Sequence, residues 1–205
     1  MQSRKIQLLK EKYLQSFVFI HINKTAGSSI QEALAIPHEH RTALEKIDGI
    51  GLKSWEKKFT FTFVRNVWDK VVSHYYFRVR TNQTRLKEVN IDFKTWVKAS
   101  YRDQDPRFYD NPKMFMPQVD WICDETGKML VQYVGRFENL DSDFKFICKS
   151  IGRTSVQLPH SKASSRGDYR SYYDDTTAEI VAKWFEADIK EFLFQFDSAP
   201  TSKAK

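Results

Sequence analysis

A lysine, a glycine and three hydroxyls fall within seven residues near the start of this chain, Asn23-Lys-Thr-Ala-Gly-Ser-Ser29. They follow Phe17-Val-Phe-Ile-His-Ile22, apolar or aromatic at five of six positions, and precede an amphipathic segment. A buried strand that stops, turns tightly and passes into a helix exposes backbone N–H groups and the positive end of a helix dipole. With Lys24 beside them, such a turn suits a phosphate or a sulfate. Gly27 lets the backbone approach the anion, the hydroxyls donate hydrogen bonds, and Lys24 balances charge. The order is not G-x-x-x-x-G-K-[ST], because Lys24 precedes Gly27 and the turn has no upstream glycine. The plain alternative is an ordinary strand-to-helix turn in which Ser29 and Glu32 form a capping box.

A second stretch carries comparable chemistry. The run 59–64 reads as a strand and leads directly into Arg65-Asn-Val-Trp-Asp69. Arg65 thus stands at the C-terminal end of a strand, where open α/β sheets bind ligands. Its planar guanidinium matches two phosphate oxygens. Between the two stretches lies His38-Glu-His40. Imidazole is the side chain poised for proton transfer near neutral pH. Two histidines at i, i+2 also raise the question of a metal, but no third ligand of suitable spacing accompanies them, so none is expected.

The elements that must position these groups follow from periodicity and punctuation. Residues 2–14 predict a short helix, 17–22 the first strand, and 28–35 a helix ended by Pro37. The segment 36–52, with Pro37, Gly49 and Gly51, reads mostly as loop. Asn66 is a good N-cap, with Asp69 three residues on, and a helix continues through Val71, Val72, Tyr75, Tyr76 and Val79. A short helix is expected over 91–100, a long loop over 101–118, and short strands at 119–122 and 130–134. A helix at 141–150, a polar loop at 151–171 and one long or broken helix at 176–196 complete the chain. Strands alternating with helices predict an α/β fold with a largely parallel sheet.

Length and composition bound the rest. The 205 residues fit a single domain, 1–197, with a flexible tail at 198–205. An apolar fraction of 41% is slightly low, but 16 Phe, 9 Tyr and 5 Trp supply the bulk for a core. The formal charge of +7 favours an anionic partner, yet Lys and Arg form no dense tract of the kind nucleic-acid binders carry. Cys123 and Cys148 make neither a disulfide framework nor a zinc site and read as buried or half-buried thiols in a reducing compartment. No apolar run approaches the ~18 residues of a membrane span, so a cytoplasmic location is expected.

The pair His21-Ile-Asn-Lys-Thr-Ala-Gly-Ser-Ser29 and Phe63-Val-Arg-Asn-Val-Trp-Asp-Lys-Val-Val-Ser-His-Tyr-Tyr76 resembles the two cofactor signatures of PAPS-dependent sulfotransferases. PAPS is 3′-phosphoadenosine 5′-phosphosulfate. The nearest likeness is to the carbohydrate branch, with its heparan sulfate 2-O- and chondroitin-type enzymes and compact bacterial relatives. Tyr133-Val-Gly-Arg-Phe-Glu-Asn-Leu140 and the closing Tyr172-Tyr173 and Asp188-Ile-Lys-Glu-Phe192 extend the resemblance from residue 17 to about 194. Asn23, Val67 and Lys70 depart from the usual Pro, Pro and Arg. The resemblance implies a three-layer, P-loop-NTPase-like domain with a mostly parallel central sheet flanked by helices. It places Lys24 on the 5′-phosphosulfate, where negative charge grows on the leaving phosphate. Thr25, Ala26, Gly27, Ser28 and Ser29 would cradle the same end. Arg65 and Ser73 would hold the 3′-phosphate, and Ser165 and Arg166 would belong to a loop closing over the cofactor. His40 is the implied general base, with His74 and His160 as alternatives, and His21 a hydrogen-bonded structural histidine. Trp68 is expected to pack in the core and Gln118 to line an acceptor cleft. The acceptor would be a hydroxyl of a carbohydrate or other polyhydroxyl molecule, with no metal and no nucleic acid involved. Basic and aromatic residues of the loops (Arg41, Arg78, Arg80, Arg85, Lys87, Tyr101, Arg102, Arg107) fit an acidic acceptor or, equally, a solvated surface.

Two other readings stand beside this one. A P-loop kinase or nucleotidase would need the G-K-[ST] order and a strand-end Asp for magnesium, and the second strand ends in Arg65 instead. A non-enzymatic binder of acidic polymers would need only the positive charge.

Overall fold

Aromatic residues alternate with threonines in Phe59-Thr-Phe-Thr-Phe-Val64, which puts rings on one face of a strand and hydroxyls on the other. This strand is the centre of the sheet. The computed structural model of the chain describes residues 4–159 and 167–197. In chain order its elements begin with α1 (Arg4–Tyr13), β1 (Phe17–Ile20), α2 (Gly27–Ala33), α3 (Ala43–Ile50), α4 (Leu52–Trp55), β2 (Phe59–Val64) and α5 (Val67–Arg80). They continue with α6 (Leu86–Val89), α7 (Phe93–Val97), α8 (Pro112–Phe115), α9 (Val119–Ile122), β3 (Tyr133–Arg136), α10 (Leu140–Ser150), α11 (Asp175–Trp184) and α12 (Glu186–Phe192). The chain divides into two compact units, Met1–Val64 with Gln118–Ala163 and Arg65–Pro117 with Ser164–Lys205. The expected tail at 198–205 lies outside the described residues.

The first unit holds a three-stranded parallel sheet in the order β1-β2-β3. Phe17 pairs with Phe59 and Phe61 with Tyr133. Phe17, Phe19, Phe61 and Phe63 pack with Ile30 of α2, with Leu34 at its C-cap, and with Phe144, Ile147 and Cys148 of α10. On the opposite face Thr62 donates its hydroxyl to the Ile20 carbonyl at 2.8 Å, and the Thr60 Oγ1 accepts from the Gln132 N–H at 3.0 Å. Buried threonines are tolerated there because their hydroxyls bond to backbone. The fold is therefore α/β with a parallel sheet flanked by helices. Cys148 is buried and Cys123 half-buried, both free thiols as expected.

Several local expectations are corrected. The segment 36–52 is not mostly loop, because Thr42 and Glu45 form a reciprocal capping box that starts α3. Gly51, at φ 84°, ends that helix, whereas Gly49 lies inside it. Residues 119–122 form a helical turn rather than a strand, the strand expected over 130–134 is β3 at Tyr133–Arg136, and an isolated antiparallel bridge joins Cys123 to Met129. β1 stops at Ile20, two residues early. The broken form of the final helix is the one observed, with the break at Phe185, whose ring is buried in the core.

The second unit is helical. Trp96, Tyr101, Phe115 and Phe185 are buried and pack edge to face or tilted at 5.4–6.2 Å. Arg78 and Tyr101 belong to this core, which removes them from the basic and aromatic loop surface. Arg78 is 1% exposed, pairs with Asp110 at 2.7 Å and lies over the Phe115 ring. Arg102 and Arg107 are exposed but pair with their neighbours Asp103 and Asp105. Lys70 is also buried. Burial pulls its amine down to about 8, against a weaker upward pull from the buried Asp188, and its Nζ sits 4.9 Å over the Phe185 ring. Tyr173 donates its hydroxyl to the Trp68 carbonyl at 2.8 Å. The closing sequence motif thus supports α5 from within the same unit.

Candidate functional site

The turn after β1 is built from left-handed backbone. Lys24 and Ala26 both have φ 67°, a region that side chains with a Cβ seldom occupy. Each such residue costs on the order of 1–3 kcal/mol and persists only where its surroundings enforce it. Part of that enforcement is Thr25, fully buried, whose hydroxyl donates to the Ile22 carbonyl at 2.8 Å. The Thr25 hydroxyl proton is therefore spent on the turn itself. Ala26 is the N-cap of α2 and caps with no side chain. The Ser29–Glu32 capping box does not form, since the helix starts at Gly27 and Ser29 is already its third residue. The first N–H groups of any α-helix have no intrahelical acceptor, so Gly27 and Ser28 present theirs at this end. Lys24, in the same turn, is half-buried.

Three histidines meet behind this turn. His21, just past β1, is 4% exposed, His40 is half-buried and His38 is exposed. The His21 and His40 rings are 4.0 Å apart between centroids, and His38 lies 5.0 Å from His21. His40 donates its Nδ1–H to the His21 carbonyl at 3.0 Å. A carbonyl only accepts, so this contact fixes the proton on Nδ1 and leaves the lone pair of neutral His40 on Nε2. His38 Nε2 is 2.9 Å from the Ser28 hydroxyl, which ties the loop to α2. The space a Gly27 side chain would fill is taken by the His21 ring, with its Cδ2 at 1.8 Å and Nε2 at 2.2 Å from an ideal Cβ.

His21 is buried, as a structural histidine would be, and the Gln31 side chain lies against its ring. Its Nδ1 is buried with no hydrogen-bond partner. The Gln31 side chain interacts with the ring, but its Nε2 is committed to the Pro37 and Glu39 carbonyls and its Oε1 is likewise unsatisfied. Burial first, then the neighbouring His40 and His38, pull the His21 imidazole from 6.5 to about 2, against a weaker upward pull from Gln31. The unfolded chain therefore binds a proton below pH 6.5 that the folded chain refuses, so stability falls as pH falls through that range. The slope is about 1.4 kcal/mol per pH unit, or about 2 kcal/mol lost by pH 5. Urea unfolding at pH 7.5 and pH 5, with a chelator present, should show this loss. His21→Gln should lack it, and an equal loss in that variant would assign the pH dependence elsewhere.

In the second unit Arg65 is 6% exposed and pairs with Asp69 through Nε at 2.8 Å and Nη2 at 2.6 Å. Asn66 caps α5 by accepting from the Trp68 and Asp69 N–H groups. Asp69 does not complete a capping box but turns its carboxylate to Arg65, taking two of the five guanidinium donors. Ser73 is half-buried two turns into α5. Trp68 packs in the core, 5% exposed, with its Nε1–H on the Ala178 carbonyl. His74 is a core histidine against Trp96 and Phe115, which removes it as an alternative base. Gln118 is fully buried in the first unit. Ser165, Arg166 and His160 lie outside the described residues.

Sequence reasoning missed the company of His21. β1 stops one residue before it, so strand alternation does not govern its direction, and the ring turns in against α2. The third histidine beside His38 and His40 comes from a different element and has no spacing signature.

A family model described as Sulfotransferase family matches residues 10–196. An uncharacterized protein of Archaeoglobus fulgidus is 31% identical over 103 residues, which cover 50% of this chain and 75% of that protein. No solved structure matches significantly. The family has a P-loop-like fold, in accord with the parallel sheet and its flanking helices. Because the match covers nearly its whole length, this chain belongs to the sulfotransferase family.

Proposed function

We propose that this chain transfers the sulfuryl group of PAPS to a hydroxyl of a carbohydrate. Family membership already makes it a sulfuryl transferase and does not favour the kinase or polymer-binder readings. The observation that supports the finer reading is the left-handed turn at Lys24 and Ala26, which leads straight into the N-terminus of α2. In this reading Lys24 stabilises the leaving phosphate, where charge develops as the sulfur–oxygen bond breaks. Thr25, Ala26 and Gly27 hold the 5′ end by backbone N–H, with Ser28 and Ser29 adding hydroxyls. Arg65, oriented by Asp69, and Ser73 bind the 3′-phosphate, and Ser165 and Arg166 close over the nucleotide. His40 accepts the acceptor's proton on Nε2 as the new oxygen–sulfur bond forms. A cytoplasmic location belongs to the same reading. It is compatible with the absence, among the described residues, of any helix long and apolar enough to cross a membrane.

Calorimetry with adenosine 3′,5′-bisphosphate, the desulfated product, tests the nucleotide site. The wild type should bind, and Lys24→Ala and Arg65→Ala should each weaken binding about 10- to 100-fold, as loss of a charged hydrogen bond does. No binding by the wild type would sink the reading. A screen of carbohydrate and other hydroxyl acceptors with labelled PAPS then tests the acceptor class.

A further inference from the structure

We propose that His21, His38 and His40 form a three-imidazole site for a divalent late transition ion of the zinc class. Each contributes one ring nitrogen, and these atoms lie within 4.8 Å of one another, the sole such His/Cys/Asp/Glu group among the described residues. A tetrahedral ion with bonds of about 2.0–2.1 Å needs its nitrogens about 3.3 Å apart. Closure therefore asks for a shift of about 1.5 Å or less, and the exposed His38 side chain has room to supply it.

Three further observations point the same way. His21 Nδ1 is buried and has no hydrogen-bond partner, a state that buried ring nitrogens rarely keep. His40 already makes the outer contact that metal-bound imidazoles make, donating Nδ1–H to a backbone carbonyl, which puts its ring lone pair on Nε2. The Ser28 hydroxyl holds His38 in a comparable way. The donor set is all nitrogen, which suits zinc, copper, nickel and cobalt and disfavours magnesium and calcium. Three protein ligands leave a fourth position open. An ion here takes the same His40 lone pair that would receive the acceptor's proton. Resting on the reading of His40 as base, occupancy of this site switches transfer off.

The test uses untagged full-length chain, stripped with a chelator that is then removed. Co²⁺ serves as the probe because its visible d–d bands intensify in tetrahedral sites. One equivalent should develop these bands, and one equivalent of Zn²⁺ should abolish them. His38→Ala, an exposed change that leaves the core intact, and His40→Ala should each weaken Co²⁺ binding by about 100-fold. Absence of the bands, or unchanged affinity in His38→Ala, would overturn the site. Zn²⁺ added to enzyme turning over PAPS should inhibit with the same midpoint as binding. Full binding without inhibition would overturn the switch and the role of His40 as base, while leaving the metal site in place.

Discussion

His40→Ala should bind adenosine 3′,5′-bisphosphate as tightly as the wild type yet lose about 10²- to 10⁴-fold in kcat, the range a positioned general base contributes. The expectation comes from one hydrogen bond. The His21 carbonyl, 3.0 Å from His40 Nδ1, dictates which nitrogen carries the proton. A base whose tautomer is fixed presents its lone pair in one direction, much as a carboxylate orients the histidine of a catalytic triad. His21 serves here through its backbone, so the orienting group survives a change of the His21 side chain. Lys24→Ala should behave differently, losing binding and turnover together, because a cation on the leaving phosphate acts in both the ground and transition states. Unchanged turnover in His40→Ala would remove it as base.

The first two strands and the turns that follow them are legible in the sequence. Phe59–Val64 declares itself by alternation, and Asn66 by its capping chemistry, because both signals are local. The strand-to-helix turn at Asn23–Ser29 is recognisable from residue types alone. Less legible is anything that depends on partners distant in sequence. Arg78 and Tyr101 look like surface residues in a polar stretch, yet each is buried among aromatic rings from other helices. Thr25 looks like a ligand-binding hydroxyl, yet the strained turn uses that hydroxyl to hold itself together. α3 is hidden because two nearby glycines mask the Thr42–Glu45 box, although the box starts the helix and only Gly51 stops it. In each case the missing information is the location of a neighbour.

Gly27→Ala should destabilise the fold by at least about 3 kcal/mol, the upper end of what overpacking costs. For a chain of this length that is a fall in Tm of about 6–12 °C. Inside a helix alanine normally gains up to about 1 kcal/mol over glycine, so propensity alone predicts the opposite sign. The clash decides the matter. A Cβ would stand 1.8 Å from His21 Cδ2, and the ring has little freedom because it is buried beside Phe19 and His40. Two explanations for Gly27 now compete. The sequence suggests that the missing Cβ lets an anion approach the backbone, whereas the structure shows it making room for an imidazole. The double variant His21→Ala/Gly27→Ala separates them, since removing the ring frees the space. Thermal unfolding should show most of the lost stability restored, as coupled neighbours in a double-mutant cycle do. Nucleotide binding then decides between the two explanations. If it returns with the fold, Gly27 exists for His21, and the turn binds its anion through Lys24 and the N–H groups alone. A folded double variant that still fails to bind would mean the ligand, too, needs the glycine. A single Gly27→Ala variant with wild-type Tm would show instead that the His21 ring can leave its seat at little cost.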